Sequence, residues 1–205
     1  MPDQSSGSIR GFVLASGSPR RRELLEGLGL HFAIRSTDID ETPQPGEAPE
    51  AYVLRLAREK AQAASRPGEL VLAADTTVVI DEEILGKPLD DADTERMLRL
   101  LSGREHEVFT GVAVLDATET GQDRIASGLS RSVVRMALLS REEIAWYAAT
   151  GEPRDRAGAY AIQGLGSLFV EAVSGNYSNV VGLPIPTVYR LFAELGYDLK
   201  AMRAD

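Results

Sequence analysis

The stretch LVLAADTTVVI, residues 70–80, is strongly β-branched and carries one charged residue, Asp75, near its middle and not at either end. The run reads as a strand, and a carboxylate at its centre is costly to bury unless it is paired or binds a metal. A structural salt bridge would satisfy it. A functional role would do so equally, and a lone central charge in such a strand favours that role.

The remaining elements alternate around this strand. GFVLA, residues 11–15, is a short strand; Ser18 and Pro19 then give the N-cap and first-turn signals of a helix through Leu28 that Gly29 ends. A second helix covers Pro49 to about Ser65, and DDADTERMLRLLSG is a third, closed by Gly103. Residues 106–139 read as two long strands joined by a polar turn, after which Ser140 and Glu143 form the capping-box pair of another helix. GLPIPTVYRLFAELG is the closing helix, and DETPQPGEAPE, residues 40–50, is a loop. The segment 151–184 is glycine-rich yet keeps aromatic and apolar residues, so it reads as a structured binding loop. This order predicts an α/β fold with a mixed twisted sheet and flanking helices, elongated into two lobes around a groove. Residues 11–205 are expected to form one domain, preceded by a disordered lead at 1–10.

Composition narrows the function classes. With 205 residues and 43% hydrophobic content the chain can bury a substantial core. Without cysteine it has no disulfide framework, no thiolate nucleophile and no cysteine zinc site, and cytoplasmic residence is expected. Neither a targeting segment nor an apolar run near the roughly 20 residues that span a bilayer is present, so no membrane role is expected. A net charge of -9 repels long nucleic acid. A small anion needs only a local positive pocket.

Against that acidic background, LASGSPRRRELL sets Arg20, Arg21 and Arg22 side by side at the start of a helix. Unpaired helix N–H groups and guanidinium forks both suit a phosphate, with Ser16 as a hydroxyl donor and Gly17 allowing close approach. A solvated helix face explains the arginines equally well, and no P-loop pattern occurs. On AYVLRLAREKAQAA, Lys60 projects into an apolar stripe of Val53, Leu56, Ala57, Ala61 and Ala64. Such an ammonium either snorkels to water or meets an anion. Lys87 lies in a rigid Gly-Lys-Pro turn, and Gln163 in AIQGLG either bonds to turn backbone or reads the edge of a base. His31 and His106 are the only histidines, so a histidine metal site or a Ser-His-Asp triad has little support. A metal here would take oxygen ligands, for which Asp38, Asp40 and Glu41 are available with Asp75.

Together LASGSPRR (14–21), ADT (74–76), GKP (86–88), SGREHEVFTGV (102–112) and EPRDRAGAYAIQG (152–164) resemble, in order, the motifs of the Maf family of nucleotide pyrophosphatases. The resemblance implies an ITPase-like two-lobed fold and hydrolysis of a nucleoside triphosphate to the monophosphate and pyrophosphate. It also implies a divalent cation, Mg2+ or Mn2+, and a homodimer. Carried over by motif, Ser16, Arg20, Lys60 and Lys87 would hold phosphates, Glu41 and Asp75 would place the metal, and Asp75 would accept the proton of the attacking water. Arg21, Thr76 and Gln163 match the branch acting on dTTP and UTP, and modified pyrimidines could fit the same contacts. Arg156 departs from the family pattern, which has lysine there. A non-catalytic, nucleotide-binding regulator of cell division is the rival reading; a sugar-nucleotide enzyme is disfavoured because the motifs carry no further acid–base pair.

Overall fold

The computed structural model describes residues 11–119 and 121–203, so the expected lead at 1–10 lies outside the described residues. Its strands are β1 (Gly11–Leu14), β2 (Ala33–Ile34), β3 (Glu69–Ile80), β4 (Glu83–Leu85), β5 (Glu105–Asp116), β6 (Arg124–Met136) and β7 (Val170–Ser174). Its helices are α1 (Pro19–Glu26), α2 (Pro49–Ala64), α3 (Asp91–Leu101), α4 (Arg141–Ala149), α5 (Tyr177–Val181) and α6 (Ile185–Glu194). One mixed sheet runs β2-β1-β3-β5-β6-β7, with β4 beside β3. The pairs β2–β1 and β1–β3 are parallel, and the others are antiparallel.

Because side chains alternate across a strand, β3 sorts its residues between two environments. Leu70, Leu72 and Ala74 pack with α1 and α6 through Leu25, Val188 and Phe192. Val71 and Ala73 face the opposite way, against Ala57, Ala61 and Ala64 of α2. Farther along the strand, Val78 and Ile80 join a separate cluster with Met97 and Leu98 of α3 and Tyr147 of α4. The core thus falls into two halves along the long strands, which is the expected two-lobed plan.

Between these halves one edge of β3 is open. Its last β1 partner is Leu72 and its first β4 partner is Val78, so residues 73–77 have no strand on that side among the described residues. The α2 helix lies unusually close to the sheet here, because a Cβ at Gly111 would overlap the carbonyl of Val53. Gly111 is the cross-strand partner of Asp75. A glycine opposite the central aspartate therefore lets α2 settle against it.

Some boundaries differ from expectation. Helix α1 ends at Glu26, and Gly29 (φ 74) closes the following turn, not the helix itself. The segment expected as a binding loop contains β7 and α5 between 3-10 turns. The capping box of α4 forms as expected, with Ser140 Oγ accepting from the Glu143 N–H and the Glu143 side chain accepting from the Ser140 N–H.

Candidate active site

A cavity of about 440 Å³ lies against the open edge of β3. Ser16, Arg20, Arg21, Glu41, Lys60, Asp75, Thr76, Lys87 and Gln163 all line it, although they span the sequence from β1 to the far side of α4. Asp38 and Asp40 do not line it. Asp40 is instead held by its own turn, accepting from the Thr42 N–H at 2.9 Å.

The stripe of α2 and the centre of β3 meet in one ion pair. Lys60 Nζ lies 2.6 Å from Asp75 Oδ1 and 2.7 Å from Glu41 Oε1. The side chains of Lys60 and Asp75 are 11% and 10% exposed, so this lysine meets an anion and does not snorkel to water. Tyr52, also on α2, donates its hydroxyl to the Glu41 carbonyl at 2.9 Å. Arg55 adds bonds to Glu47 at 2.7 Å and to the Thr42 carbonyl at 3.2 Å, tying the acidic loop to the same helix. Burial, with the negative charges of Asp75 and Glu41, pushes the Tyr52 hydroxyl up to about 12.

The arginines after β1 do different jobs. Arg21 spends its guanidinium on the protein: Nε donates to the Gly182 carbonyl at 2.8 Å, Nη1 to Ser16 Oγ at 3.1 Å and Nη2 to Thr76 Oγ1 at 3.1 Å. Burial lowers its pKa. Thr76 Oγ1 also lies 2.9 Å from Thr110 Oγ1, so its hydroxyl is already engaged. Arg20 reaches across to donate to the Asp155 carbonyl at 3.1 Å, while Lys87 pairs with the Asp155 carboxylate at 2.9 Å. Ser18 occupies the N-cap of α1 without making a side-chain capping bond, which leaves first-turn N–H groups for another acceptor.

Two charged lining residues escaped the site assignment from sequence. Asp155 gathers Arg20 and Lys87, and Arg156 lines the cavity while its Nε and Nη1 are buried without a hydrogen-bond partner among the described residues. Orphaned buried donors are rare, and a guanidinium left so is matched to an anion. The departure from lysine at 156 was the available signal. Gln163 is exposed, and its side-chain amide has no hydrogen-bond partner among the described residues.

Among the described residues no group of three or more His, Cys, Asp or Glu side chains could cage a metal ion. Glu41 and Asp75 are nevertheless two hard oxygen donors drawn to one ammonium. That donor set fits Mg2+ or Mn2+ shared with phosphate oxygens, since such ions commonly take one or two carboxylates and complete their shell from substrate and water. Among the described residues no helix is long and apolar enough to cross a membrane.

Comparison with known proteins agrees with the motifs. A protein of Anaeromyxobacter sp. (strain Fw109-5) named dTTP/UTP pyrophosphatase is 54% identical over 187 residues, covering 91% of this chain and 90% of that one. One of Myxococcus xanthus (strain DK1622) with the same name is 52% identical over 189 residues, covering 91% and 93%. Among solved structures, a HAM1 protein from Coxiella burnetii is 21% identical, covers 63% of this chain and 74% of that one, and has a TM-score of 0.43, so the fold rests on the sheet described above. The Maf family model, described as Maf-like protein, matches residues 11–195, and on that span the chain belongs to the Maf family.

Proposed function

We propose that this chain hydrolyses dTTP and UTP, and modified pyrimidine nucleotides of the same shape, to the monophosphate and pyrophosphate. The observation that carries the reading is the convergence of Arg20, Lys60, Lys87 and Arg156 on one cavity whose deepest carboxylate, Asp75, is only 7% exposed. Cations placed in advance around a triphosphate supply what phosphoryl chemistry mainly needs, which is positioning and charge stabilisation. The names of the relatives support the choice of nucleotide.

Asp75 Oδ1 is bonded to Lys60, which leaves Oδ2 to take the proton of the attacking water. As the water oxygen bonds to the α-phosphorus, the bond on its opposite side to the bridging oxygen breaks, and pyrophosphate leaves with that electron pair. Arg20, Lys87 and Arg156 balance the charge that gathers on the leaving group. Lys60 holds the carboxylates in place and answers the phosphate nearest them. A divalent ion held by Glu41 and Asp75 would neutralise phosphate charge and lower the pKa of bound water. Arg21 and Thr76, already engaged with each other, shape the wall of the base pocket, and Gln163 offers its amide to the pyrimidine edge. The family resemblance also brings a cytoplasmic homodimer, which sedimentation of the purified chain and cell fractionation test.

The deciding measurement is pyrophosphate release from a panel of nucleoside triphosphates with Mg2+ or Mn2+, for the wild type beside Asp75→Asn. Selective turnover of dTTP and UTP is expected, with kcat falling about 10³-fold in the variant while nucleotide binding persists. Wild-type kcat in Asp75→Asn would remove Asp75 as the base. Tight binding without turnover in either protein would favour the non-catalytic regulator.

A further inference from the structure

We propose that Glu152 and Tyr147, neither of which lines the cavity, position Gln163 and thereby set how well the site discriminates between bases. The proposal rests on the reading of Gln163 as a base contact.

Tyr147 is fully buried on α4. Its hydroxyl donates to Glu152 Oε1 at 2.8 Å and accepts from the Ala161 N–H at 3.1 Å. Glu152 Oε1 also accepts from the Gly166 N–H at 2.9 Å, and Oε2 from the Leu165 N–H at 3.0 Å. The backbone is thus pinned two residues before Gln163, and again two and three residues after it, by one tyrosine–carboxylate pair. Both glycines of QGLG follow from this arrangement. A Cβ at Gly164 (φ 72) would run into the Glu152 carboxylate, and one at Gly166 would meet the Ala161 carbonyl and the Tyr147 hydroxyl.

Successive backbone N–H groups wrapped around an anion form a nest, and here the anion belongs to the protein. Burial pushes the Glu152 carboxyl up, but hydrogen bonds from Gly166, Leu165 and Tyr147 outweigh it and hold the pKa below the ordinary value. The keystone is therefore charged at neutral pH. With the backbone fixed on both sides of Gln163, a ligand meeting its free amide has only that side chain to order. Neither Glu152 nor Tyr147 needs to touch the nucleotide.

The test compares kcat/KM for dTTP and dGTP with Mg2+ in the full chain, for wild type, Glu152→Gln, Gln163→Ala and the double variant. Glu152→Gln keeps the size of the side chain but turns one acceptor into a donor. The dTTP:dGTP ratio is expected to fall about tenfold, through a higher KM for dTTP and with kcat held within about twofold. The double variant should lose no more discrimination than Gln163→Ala alone, as expected of residues acting through one group. Tyr147→Phe should shift the ratio in the same direction by less, and it decides the comparison if Glu152→Gln does not fold. Loss of discrimination in Gln163→Ala with an unchanged ratio in both positioning variants would overturn the proposal. So would equal kcat losses on every nucleotide, the mark of a merely structural anchor. If Gln163→Ala itself keeps the ratio, the base-contact reading fails and the proposal falls with it.

Discussion

Two lysine–aspartate pairs face the same cavity and differ in burial. Lys60 and Asp75 are joined at 2.6 Å with side chains 11% and 10% exposed, whereas Lys87 and Asp155 are joined at 2.9 Å with 66% and 65% exposed. The buried pair exchanged water for ionic partners, Asp75 for Lys60 and Lys60 for both Asp75 and Glu41, so removing Lys60 strands the Asp75 charge in a poor solvent. The exposed pair gains little from its contact, is screened by salt, and can release its lysine to a better anion. One cavity therefore combines a fixed centre with an adjustable rim. In the function proposed above, the centre carries the chemistry and the rim takes the phosphates.

The contrast breaks most visibly in stability. Lys60→Met is expected to cost about 3–5 kcal/mol in urea unfolding by leaving Asp75 buried without its cation, and adding Asp75→Leu should restore most of that loss while activity stays absent. A Lys60→Met midpoint equal to the wild type would mean that solvent reaches the centre.

His106 sharpens the comparison by showing burial without an ionic partner. Its Nε2 lies 2.8 Å from the Tyr160 hydroxyl, its Nδ1 is unpartnered among the described residues, and burial pushes its pKa down from 6.5 to about 4. The unfolded chain takes up this proton first. Stability from His106 is thus complete above pH 6.5, declines as pH falls from 6.5 towards 4, and declines no further below about 4. The whole loss is at most about 3 kcal/mol. Urea unfolding across that pH range should show this slope, and His106→Gln should flatten it; a slope that persists would belong to the carboxylates.

At the rim the effects shrink. Lys87→Ala and Asp155→Asn should each change stability by less than about 1 kcal/mol. Lys87→Ala should still raise the KM for dTTP, read by pyrophosphate release. A stability loss in Asp155→Asn as large as that in Lys60→Met would erase the distinction between centre and rim.

How much of this was legible in the sequence follows the same division. Lys60 and Asp75 stood out because each interrupts an apolar period, and an interruption of that kind must be answered somewhere in the fold. Asp155 and Arg156 sit in a polar segment where a charge breaks no pattern, so their meeting with Arg20, Lys87 and the cavity depends on long-range contacts that periodicity does not encode. The short strands β2 and β4 offer too few residues to show alternation. In the glycine-rich segment, turn signals hid β7 and α5, while the need for Gly164 became visible only with Glu152 beside it, and that for Gly166 only with the Ala161 carbonyl and the Tyr147 hydroxyl beside it. Gly111 was equally silent, since its reason is a helix arriving from another part of the chain.

The open edge of β3 also governs how the molecule can bend. Among the described residues, the ladder at the level of Asp75 passes only through Gly111 and Leu129, because β1 has ended at Leu72, β4 begins to pair at Val78 and β7 begins to pair at Val133. The sheet narrows there to a waist of β3, β5 and β6, with a broader blade on either side. Any flexing across that waist would change the distance between Arg20 on one blade and Lys87 on the other without unpairing a strand, much as a leaf spring bends at its crease.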